Sequence, residues 1–171
     1  MGEIVSVSAA LHRVANRPAM TADDTYTVTL RLDNGATVLL HSSCAAAGPF
    51  VMVTKVFGDK AAAWLEGDSV WIEDGTGPAQ LPTPDDLPVV EPDPPPSDLL
   101  KTTYDGLHSM GIDLEPYARL YQRLHDQIHG LECPADPVAA TFVDGVACQR
   151  VTDAIRESSK NDGAWVPVAP V

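Results

Sequence analysis

Residues 25–44, TYTVTLRLDNGATVLLHSSC, decide the fold of this chain. Residues 25–32 alternate between polar and apolar side chains, which is the period of a β-strand with one apolar face. The pair Asn34-Gly35 follows, and this pair is preferred in a two-residue type I′ turn between antiparallel strands. Residues 36–44 then return as the partner strand. The stretch therefore predicts an antiparallel hairpin.

A two-residue loop also determines which side chains share a face of the hairpin. It places His41 on the apolar face, where we expect a hydrogen-bonded histidine of the core or its rim. It places Val38 and Leu40 among threonines on the opposite face. The predicted cross-strand pairs are Leu32 with Thr37, Leu30 with Leu39 and Val28 with His41.

The flanking sequence extends the hairpin into a sheet. Residues 3–9 have the pattern of a first strand, and residues 50–57, 61–65 and 69–73 have that of further strands, separated by short turns that contain glycine. Such closely spaced turns predict an antiparallel meander. Residues 78–97 interrupt it with eight prolines and several acidic residues, which predicts an extended surface loop.

The second half of the chain has the pattern of helices. Residues 116–130 carry an apolar stripe at helical spacing after the candidate cap Asp113, and residues 137–160 form a second such segment. Residues 165–168 have the pattern of an edge strand, where proline is tolerated. Strands first and helices later predict an α+β fold, with an open, predominantly antiparallel sheet and helices packed on one face.

Composition excludes several classes of partner. The formal net charge of −13 argues against nucleic acid and against an anionic membrane, since no basic patch could dominate that field. The three cysteines are widely spaced, which is typical of reduced thiols. The sequence shows no signal-peptide pattern and no apolar run of about 20 residues. We therefore expect a cytoplasmic protein.

Candidate sites of chemistry are few. His125 and His129 are spaced as a metal-binding pair, but a third ligand is not evident, so we expect no metal site. Gly75 and Gly77 lack the third glycine of a dinucleotide-binding loop. No G-x-S-x-G nucleophile motif occurs in the sequence. We therefore expect no catalytic residue and no cofactor-binding residue in this chain.

A resemblance to a known family rests on the order of several motifs. They are the opening G-E-I-x-x-V strand, the run D-D-T-Y, N-G-A at the hairpin, the V-F-G-D-K turn, the segment FVDGVACQRVTDAIRESSKNDG and the closing WVPV. In this order the chain resembles the C-terminal domain of the glucose-fructose oxidoreductase/inositol dehydrogenase (Gfo/Idh/MocA) family. The resemblance spans nearly all of residues 1–171, which we interpret as a single domain, with a poorly matching insertion that continues to residue 112.

The resemblance implies what a complete enzyme of this kind contains. Family members have an N-terminal Rossmann domain that holds NAD or NADP, and their E-K-P and D-x-x-x-H motifs precede the G-E-I strand. Neither motif occurs here. We therefore expect the substrate-side and oligomerisation domain of an NAD(P)-dependent sugar or polyol oxidoreductase, inactive by itself. It would be an excised fragment, or a chain that needs a separate Rossmann domain or subunit. The alternatives are a stand-alone binding or assembly module derived from that domain and an unrelated α+β protein.

Two loops are expected to meet at one end of the sheet. In a meander, the connections at 14–24 and 43–50 lie at the end opposite the Asn34-Gly35 turn. This end offers hydrogen-bond donors and an aromatic ring, a mixture suited to a hydroxylated ligand. The predicted substrate-binding residues are Arg13, Arg17, Ser43, Cys44 and Phe50.

The sheet face opposite the helices is expected to build a homo-oligomer. A large exposed apolar patch usually marks an interface, and the family resemblance implies that this sheet usually builds the oligomer. The predicted interface residues are Val38, Leu40, Trp64 and Trp71.

Overall fold

A computed structural model describes residues 2–49, 51–67, 69–82, 114–132 and 139–170. The chain divides into two compact units, one of Met1–Gly48 with Val138–Val171 and the other of Pro49–Pro137. The interpretation of residues 1–171 as a single domain stays a prediction. In chain order the described elements are β1 (Ile4–His12), β2 (Thr25–Leu32), β3 (Thr37–Ser43), β4 (Thr54–Phe57), β5 (Ala62–Glu66), β6 (Ser69–Glu73), β7 (Ala79–Gln80), α1 (Leu114–Ile128), α2 (Phe142–Lys160) and β8 (Val166–Pro167).

The first unit is built on a four-stranded antiparallel sheet in the order β3-β2-β1-β8. The predicted hairpin of β2 and β3 is confirmed, and β8 lies within the predicted terminal strand. A bulge between Ile4 and Ser6 shifts the pairing at the start of β1. β1 is a central strand of this sheet. It has β2 on one side, and both β8 and the end of α2 on the other.

The register of the β2–β3 hairpin differs from the prediction by one residue. Leu30 lies opposite Val38, and Val28 lies opposite Leu40. A shift of one residue moves every side chain of a strand to the other face of the sheet. The prediction that placed Val38 and Leu40 on the face opposite Val28 and Leu30 is therefore wrong. The placement of His41 on the apolar face is wrong for the same reason.

The turn explains this shift. The N–H of Leu32 donates to the carbonyl of Ala36 at 2.9 Å, so the loop has the three residues 33–35. A type I′ turn needs positive φ at both central residues, but in this loop only Gly35 has it, at 86°. A three-residue loop that ends in a left-handed glycine is the next most common hairpin connection, and the Asn34-Gly35 pair suits it equally well.

Helix α2 packs against one face of the first sheet, which we call the helix face. The buried core joins Val7 and Ala9 of β1 to Val28 and Leu30 of β2 and to Ala154 of α2. Burial of apolar surface is the main force that holds these elements together. The opposite face, which we call the open face, carries the side chains of Ser6, Ser8, Ala10, His12, Thr25, Thr27, Thr29, Arg31, Thr37, Leu39, His41 and Ser43.

Two serines at the end of α2 complete the edge of β1. Ser158 is fully buried; its hydroxyl accepts a hydrogen bond from the N–H of Ala9 at 2.8 Å and donates one to the carbonyl of Ala164 at 2.6 Å. The hydroxyl of Ser159 accepts one from the N–H of Leu11 at 3.0 Å. Because β8 pairs only with the first part of β1, these hydroxyls take the place that a longer β8 would occupy.

The second unit holds a separate antiparallel sheet in the order β4-β5-β6-β7. Its strands follow one another as a meander, but the prediction that they continue the first sheet is wrong. Between β3 and β4 lie Gly48, which has a φ of 140°, and Pro49, which has no N–H to donate to a ladder. The strand predicted from residue 50 accordingly begins at Thr54. Across β5 and β6, the rings of Trp64 and Trp71 stack with centroids 6.3 Å apart.

The α+β class with open antiparallel sheets is confirmed. Helix α2 begins at Phe142 rather than at 137, because Thr141 is the cap of the helix. The carboxylate of Asp144 accepts hydrogen bonds from the N–H and the hydroxyl of Thr141, both at 2.7 Å. Most of the proline-rich loop lies outside the described residues. So do the predicted helix cap Asp113 and Cys133. In the part of the chain that is described, neither helix combines the length and the apolar character that crossing a membrane requires.

Candidate functional site

Two loops leave the first sheet at the same end. His12, the last residue of β1, and Ser43, the last residue of β3, both pair with Thr25 at the start of β2. Residues 13–24 and 44–48 therefore lie together, and the hairpin turn lies at the other end. The prediction that these loops share an end of the sheet is confirmed. We call this region the loop end.

Asp24 ties the loop end together. Its carboxylate accepts hydrogen bonds from the N–H of Val14 at 2.9 Å and of Ala15 at 2.8 Å. Its main-chain carbonyl accepts one from the N–H of Cys44 at 2.8 Å. The N–H groups of Val14 and Ala15, with the hydroxyl of Thr25, hold the pKa of Asp24 below its ordinary value. One residue therefore anchors both loops, the first through its charged side chain and the second through its main chain.

The first loop presents two guanidinium groups. Arg13 donates from Nη1 to the carbonyl of Met20 at 3.0 Å, which closes the loop upon itself. Arg17 is exposed within the same loop, and its main-chain N–H donates to the carbonyl of Ala15 at 3.0 Å. Since guanidinium groups carry several donors in a fixed plane, they can bind a carboxylate or neighbouring hydroxyl oxygens.

The second loop presents a hydroxyl and a thiol. The Oγ of Ser43 lies 2.8 Å from the Oγ1 of Thr25 and accepts the N–H of Ala45 at 3.3 Å. Cys44 is an exposed free thiol. The structure thus brings Arg13, Arg17, Ser43 and Cys44 to one end of the sheet, whereas Phe50 lies outside the described residues.

An open hollow of about 300 Å³ lies in the first unit and reaches His12 beside the loop end. One wall comes from the open face and the other from the turn after α2, where the hydroxyl of Ser8 donates to the carbonyl of Gly163 at 2.6 Å. Sequence reasoning missed this hollow because its two walls are separated by about 150 residues of chain. The side chains around it that can form hydrogen bonds are Ser8, His12, Thr27, Thr29, Ser159 and Asp162.

His41 lies on the open face rather than in the core. Its side chain is exposed, and its Nδ1 lies 3.0 Å from the Oγ1 of Thr27 on the neighbouring strand. The expected hydrogen bond is present, but the expected apolar surroundings are not, because the register of β3 is shifted by one residue.

The predicted interface residues are distributed over two sheets. Val38 and Leu40 lie on the helix face of β3, and Leu40 is 41% exposed. Trp64 and Trp71 lie half-buried in the second sheet. The four residues therefore do not form one patch on the open face, and their role in an interface stays a prediction.

The loop with two glycines in the second unit does not fit the pyrophosphate of a dinucleotide. The N–H groups of Gly75 and Gly77 already donate to the carboxylate of Glu73, at 2.7 and 3.1 Å. A negative side chain at these donors repels phosphate, whereas a dinucleotide-binding loop keeps them for the ligand.

His125 lies in the last turn of α1, and His129 is the first residue after the helix. The rings of His125 and His129 have centroids 4.4 Å apart, and the Nδ1 of His125 lies 3.1 Å from a carboxylate oxygen of Asp126. The hydrogen bonds from His125 and Gln122 hold the pKa of Asp126 below its ordinary value. Over the residues that are described, no cluster of three or more histidine, cysteine or acidic side chains is arranged to hold a metal ion.

Comparison with known proteins gives one family and several solved structures. Residues 1–64 match the family model of the GFO/IDH/MocA C-terminal domain. No curated protein sequence matches the chain. The matched residues include β1, β2, β3 and the whole loop end.

Three solved structures share the fold of the chain. Aldose-aldose oxidoreductase from Caulobacter crescentus, complexed with glycerol, is 20% identical with a TM-score of 0.63 and covers 97% of this chain and 42% of its own. Levoglucosan dehydrogenase in complex with NADH is 18% identical with a TM-score of 0.68 and covers 100% of this chain and 46% of its own. An oxidoreductase from Sinorhizobium meliloti is 19% identical with a TM-score of 0.67 and covers 96% of this chain and 46% of its own.

The chain therefore spans less than half the length of each of these three proteins. The resemblance predicted from the sequence is confirmed: residues 1–64 match the C-terminal domain of the GFO/IDH/MocA family, and the chain has the fold shared by these oxidoreductases.

Proposed function

We propose that this chain is the substrate-side and oligomerisation domain of an NAD(P)-dependent sugar or polyol oxidoreductase. The observation that carries the proposal is the position of the loop end. Residues 1–64, which match the family model, contain both loops and four of the five predicted substrate-binding residues in their described part.

The chemistry of the loop end suits a hydroxylated ligand. Arg13 and Arg17 supply donors, and Ser43 supplies a hydroxyl that can both donate and accept. Phe50 would add an apolar surface for one side of a sugar ring, although it lies outside the described residues. Among the proteins with this fold, one structure contains glycerol and another contains levoglucosan with NADH. A small polyol or sugar is therefore the substrate class that we assign to this end.

The cofactor belongs to another part of the complete enzyme in this proposal. Hydride transfer needs a nicotinamide held against the substrate carbon and an acid-base group near the hydroxyl proton. The loop at Gly75 and Gly77 does not fit that cofactor, because Glu73 already takes its N–H donors. We assign NAD or NADP to a Rossmann domain or subunit joined to this chain. Cys44 and Cys148 are exposed free thiols, which accords with a cytoplasmic location.

The oligomer in this proposal forms through the open face of the first sheet. That face carries no acidic side chain at the positions assigned to it, although the chain has a net charge of −13. It carries exposed Leu39 among threonines, and Arg31 lies 3.8 Å from the ring centroid of Trp165. A second copy can approach such a face without bringing acidic side chains together.

Saturation-transfer NMR with glycerol, levoglucosan and L-sorbose tests the substrate role. We expect binding in the range of about 1 to 10 mM for the chain alone, since half of the pocket is supplied by another domain. Arg13→Ala should reduce the signal, and Thr29→Val, in the hollow but away from the loops, should leave it unchanged. Equal signals for the two variants would overturn the assignment to the loop end.

Light scattering on the purified chain tests the oligomer. We expect at least a dimer, and Thr27→Arg, in the middle of the open face, should weaken it while the melting temperature is retained. If the chain oligomerises but binds none of the three polyols, a stand-alone assembly module becomes the better description. If the chain is a monomer that binds a polyol, the substrate role is retained and the assembly role is overturned.

A further inference from the structure

We infer that His125 and His129 form a two-histidine binding site for a divalent transition-metal ion of tetragonal geometry, Ni²⁺ or Cu²⁺. The site lies at the C-terminal end of α1 and uses no residue of the loop end, so it goes beyond the proposed function. The sequence predicts no metal site, because a third ligand is not evident. Two features of the folded chain revise that expectation: the distance between the two rings and the partner of the His125 ring.

The end of α1 holds the two histidines one helical turn apart. The main-chain N–H of His129 donates to the carbonyl of His125 at 3.1 Å, which continues the helical hydrogen bonds as far as His129. Gly130 then has a φ of 64°, and the N–H of Leu131 donates to the carbonyl of Asp126 at 2.9 Å, as in the glycine caps that commonly end helices. Side chains four residues apart share a helix face, and zinc-binding helices use this spacing for a pair of histidines. The backbone therefore presents the two imidazoles together.

The distance between the two rings fits a right angle at a metal ion. Their centroids are 4.4 Å apart, and their planes are inclined by 46°. An imidazole nitrogen binds a metal at about 2.0–2.1 Å, which places the ring centroid about 3.2 Å from the ion. Two such rings have centroids about 4.5 Å apart at an angle of about 90°, and about 5.2 Å apart at the tetrahedral angle. The observed distance favours tetragonal Ni²⁺ or Cu²⁺ over tetrahedral Zn²⁺.

Asp126 orients the ring of His125. Its Oδ1 lies 3.1 Å from the Nδ1 of His125 and accepts a hydrogen bond from the Nε2 of Gln122 at 2.7 Å. A carboxylate only accepts hydrogen bonds, so the Nδ1 of His125 carries the proton and its Nε2 presents a lone pair. Histidines that bind metals almost always donate their second ring nitrogen in this way, which fixes the ring and raises its basicity. Asp126 is therefore the outer partner of a ligand rather than a third ligand.

Charge and exposure suit an ion that exchanges with solvent. The side chain of His125 is 57% exposed, and His129 is exposed as well. The C-terminal end of a helix carries the negative end of its dipole, which favours a cation. Among the described residues no third histidine, cysteine or acidic side chain completes the site, whereas structural zinc sites are closed by protein ligands. We assign water to the remaining positions of the ion.

Calorimetric titration of the metal-free chain with Ni²⁺ alone tests the site. We expect saturable binding of Ni²⁺ and weaker binding of Zn²⁺, because the ring spacing does not suit a tetrahedral ion. His129→Gln should weaken the binding of Ni²⁺ at least about tenfold, since the second ligand then no longer acts at a high effective concentration. His41→Gln is the matched control, because it removes an exposed imidazole from a strand, and it should leave the affinity unchanged.

Three results of this titration would overturn the inference. They are the absence of saturable Ni²⁺ binding, equal affinities of the two histidine variants, and tighter binding of Zn²⁺ than of Ni²⁺. Asp126→Ala adds a test of the outer partner and should weaken the binding of Ni²⁺ about tenfold. An unchanged affinity in that variant would overturn the orienting role of the carboxylate.

NMR locates the ion on the unmodified chain, so this test does not depend on how a variant folds. Ni²⁺ with water among its ligands is paramagnetic and broadens the signals of nearby amides. The broadening should be strongest at residues 125–129. Broadening centred on His12 or His41 would assign the ion to other imidazoles and overturn the inference.

The outcome is separable from that of the proposed function. His129→Gln changes no residue of the loop end, so the saturation-transfer signals of the polyols should be the same with and without it. A chain that binds Ni²⁺ at His125 and His129 but binds no polyol would support the metal site and overturn only the substrate role. A chain that binds a polyol but not Ni²⁺ would overturn only the metal site.

Discussion

Replacement of Ser158 by alanine removes a single oxygen atom, but it should destabilise the first unit strongly. The side chain is 0% exposed and joins α2 to the central strand of the sheet. Its hydroxyl accepts the N–H of Ala9 at 2.8 Å and donates to the carbonyl of Ala164 at 2.6 Å. Ala9 is itself only 3% exposed, so water cannot replace the lost acceptor.

The size of the effect follows from these two bonds. A buried donor left without a partner costs about 1–3 kcal/mol, and a lost bond to a part-buried carbonyl costs about 0.5–1.5 kcal/mol. The better helix propensity of alanine offsets up to about 0.5 kcal/mol of this. We therefore expect a loss of about 2.5 kcal/mol in the free energy of unfolding. For a chain of this size it corresponds to a decrease in Tm of about 5–10 °C.

Urea unfolding followed by circular dichroism measures this loss, and amide exchange at Ala9 locates it. Ser159→Ala is the matched control, because the neighbouring hydroxyl binds the N–H of Leu11 in a part-buried position. The control should lose less than about 1.5 kcal/mol. If Ser158→Ala is no more destabilised than Ser159→Ala, then the reasoning that buried serines complete the edge of β1 is wrong.

Three further predictions concern the loop end, the hairpin and the open face. The pKa of Asp24 lies below its ordinary value of 3.8, so its hold on residues 14–15 is complete above that value and is lost as the pH falls through the lower folded pKa. The protection factors of the amides at 14–15, which are corrected for intrinsic exchange at each pH, should fall over that range, and in Asp24→Asn they should be low at every pH. Gly35→Ala should cost about 1–2 kcal/mol in urea unfolding, because φ is 86° although the added methyl group meets no atom within 4 Å, whereas Gly35→Asn should cost less. Arg31→Ala should cost about 0.5–1 kcal/mol and change the fluorescence of Trp165, since the guanidinium lies 3.8 Å from the ring centroid; an unchanged spectrum and stability would exclude that contact.

The elements of the fold could be predicted from the sequence because their signals are local. The alternation of residues 25–32 and the turn at 33–35 indicate a hairpin without reference to any distant residue. The register could not be predicted, because Asn34-Gly35 suits both a two-residue and a three-residue loop, and only the backbone of the folded chain selects between them. That single difference moved His41 and Leu40 to the faces opposite those expected.

The candidate site divides in the same way. The meeting of the two loops at one end follows from the order of strands and could be predicted. Asp24 was visible only as part of a family motif, since its role depends on hydrogen bonds to residues 14–15, which lie ten and nine positions away. Ser158 was likewise visible only as part of a family motif, the segment FVDGVACQRVTDAIRESSKNDG, because Ser158 and Ala9 are 149 positions apart and a buried serine has no sequence pattern of its own.

The most direct test of the proposed function compares a polyol and a nicotinamide cofactor on one sample of this chain. Levoglucosan and NADH are added separately to the isotope-labelled chain, and the amide chemical shifts are followed by NMR. The account predicts saturable shifts with levoglucosan at residues 13–24 and 43–48, and none with NADH at concentrations below about 1 mM. Saturable shifts with NADH, above all at Gly75 and Gly77, would contradict the assignment of the cofactor to another domain. Levoglucosan shifts located away from the loop end would contradict the assignment of the substrate.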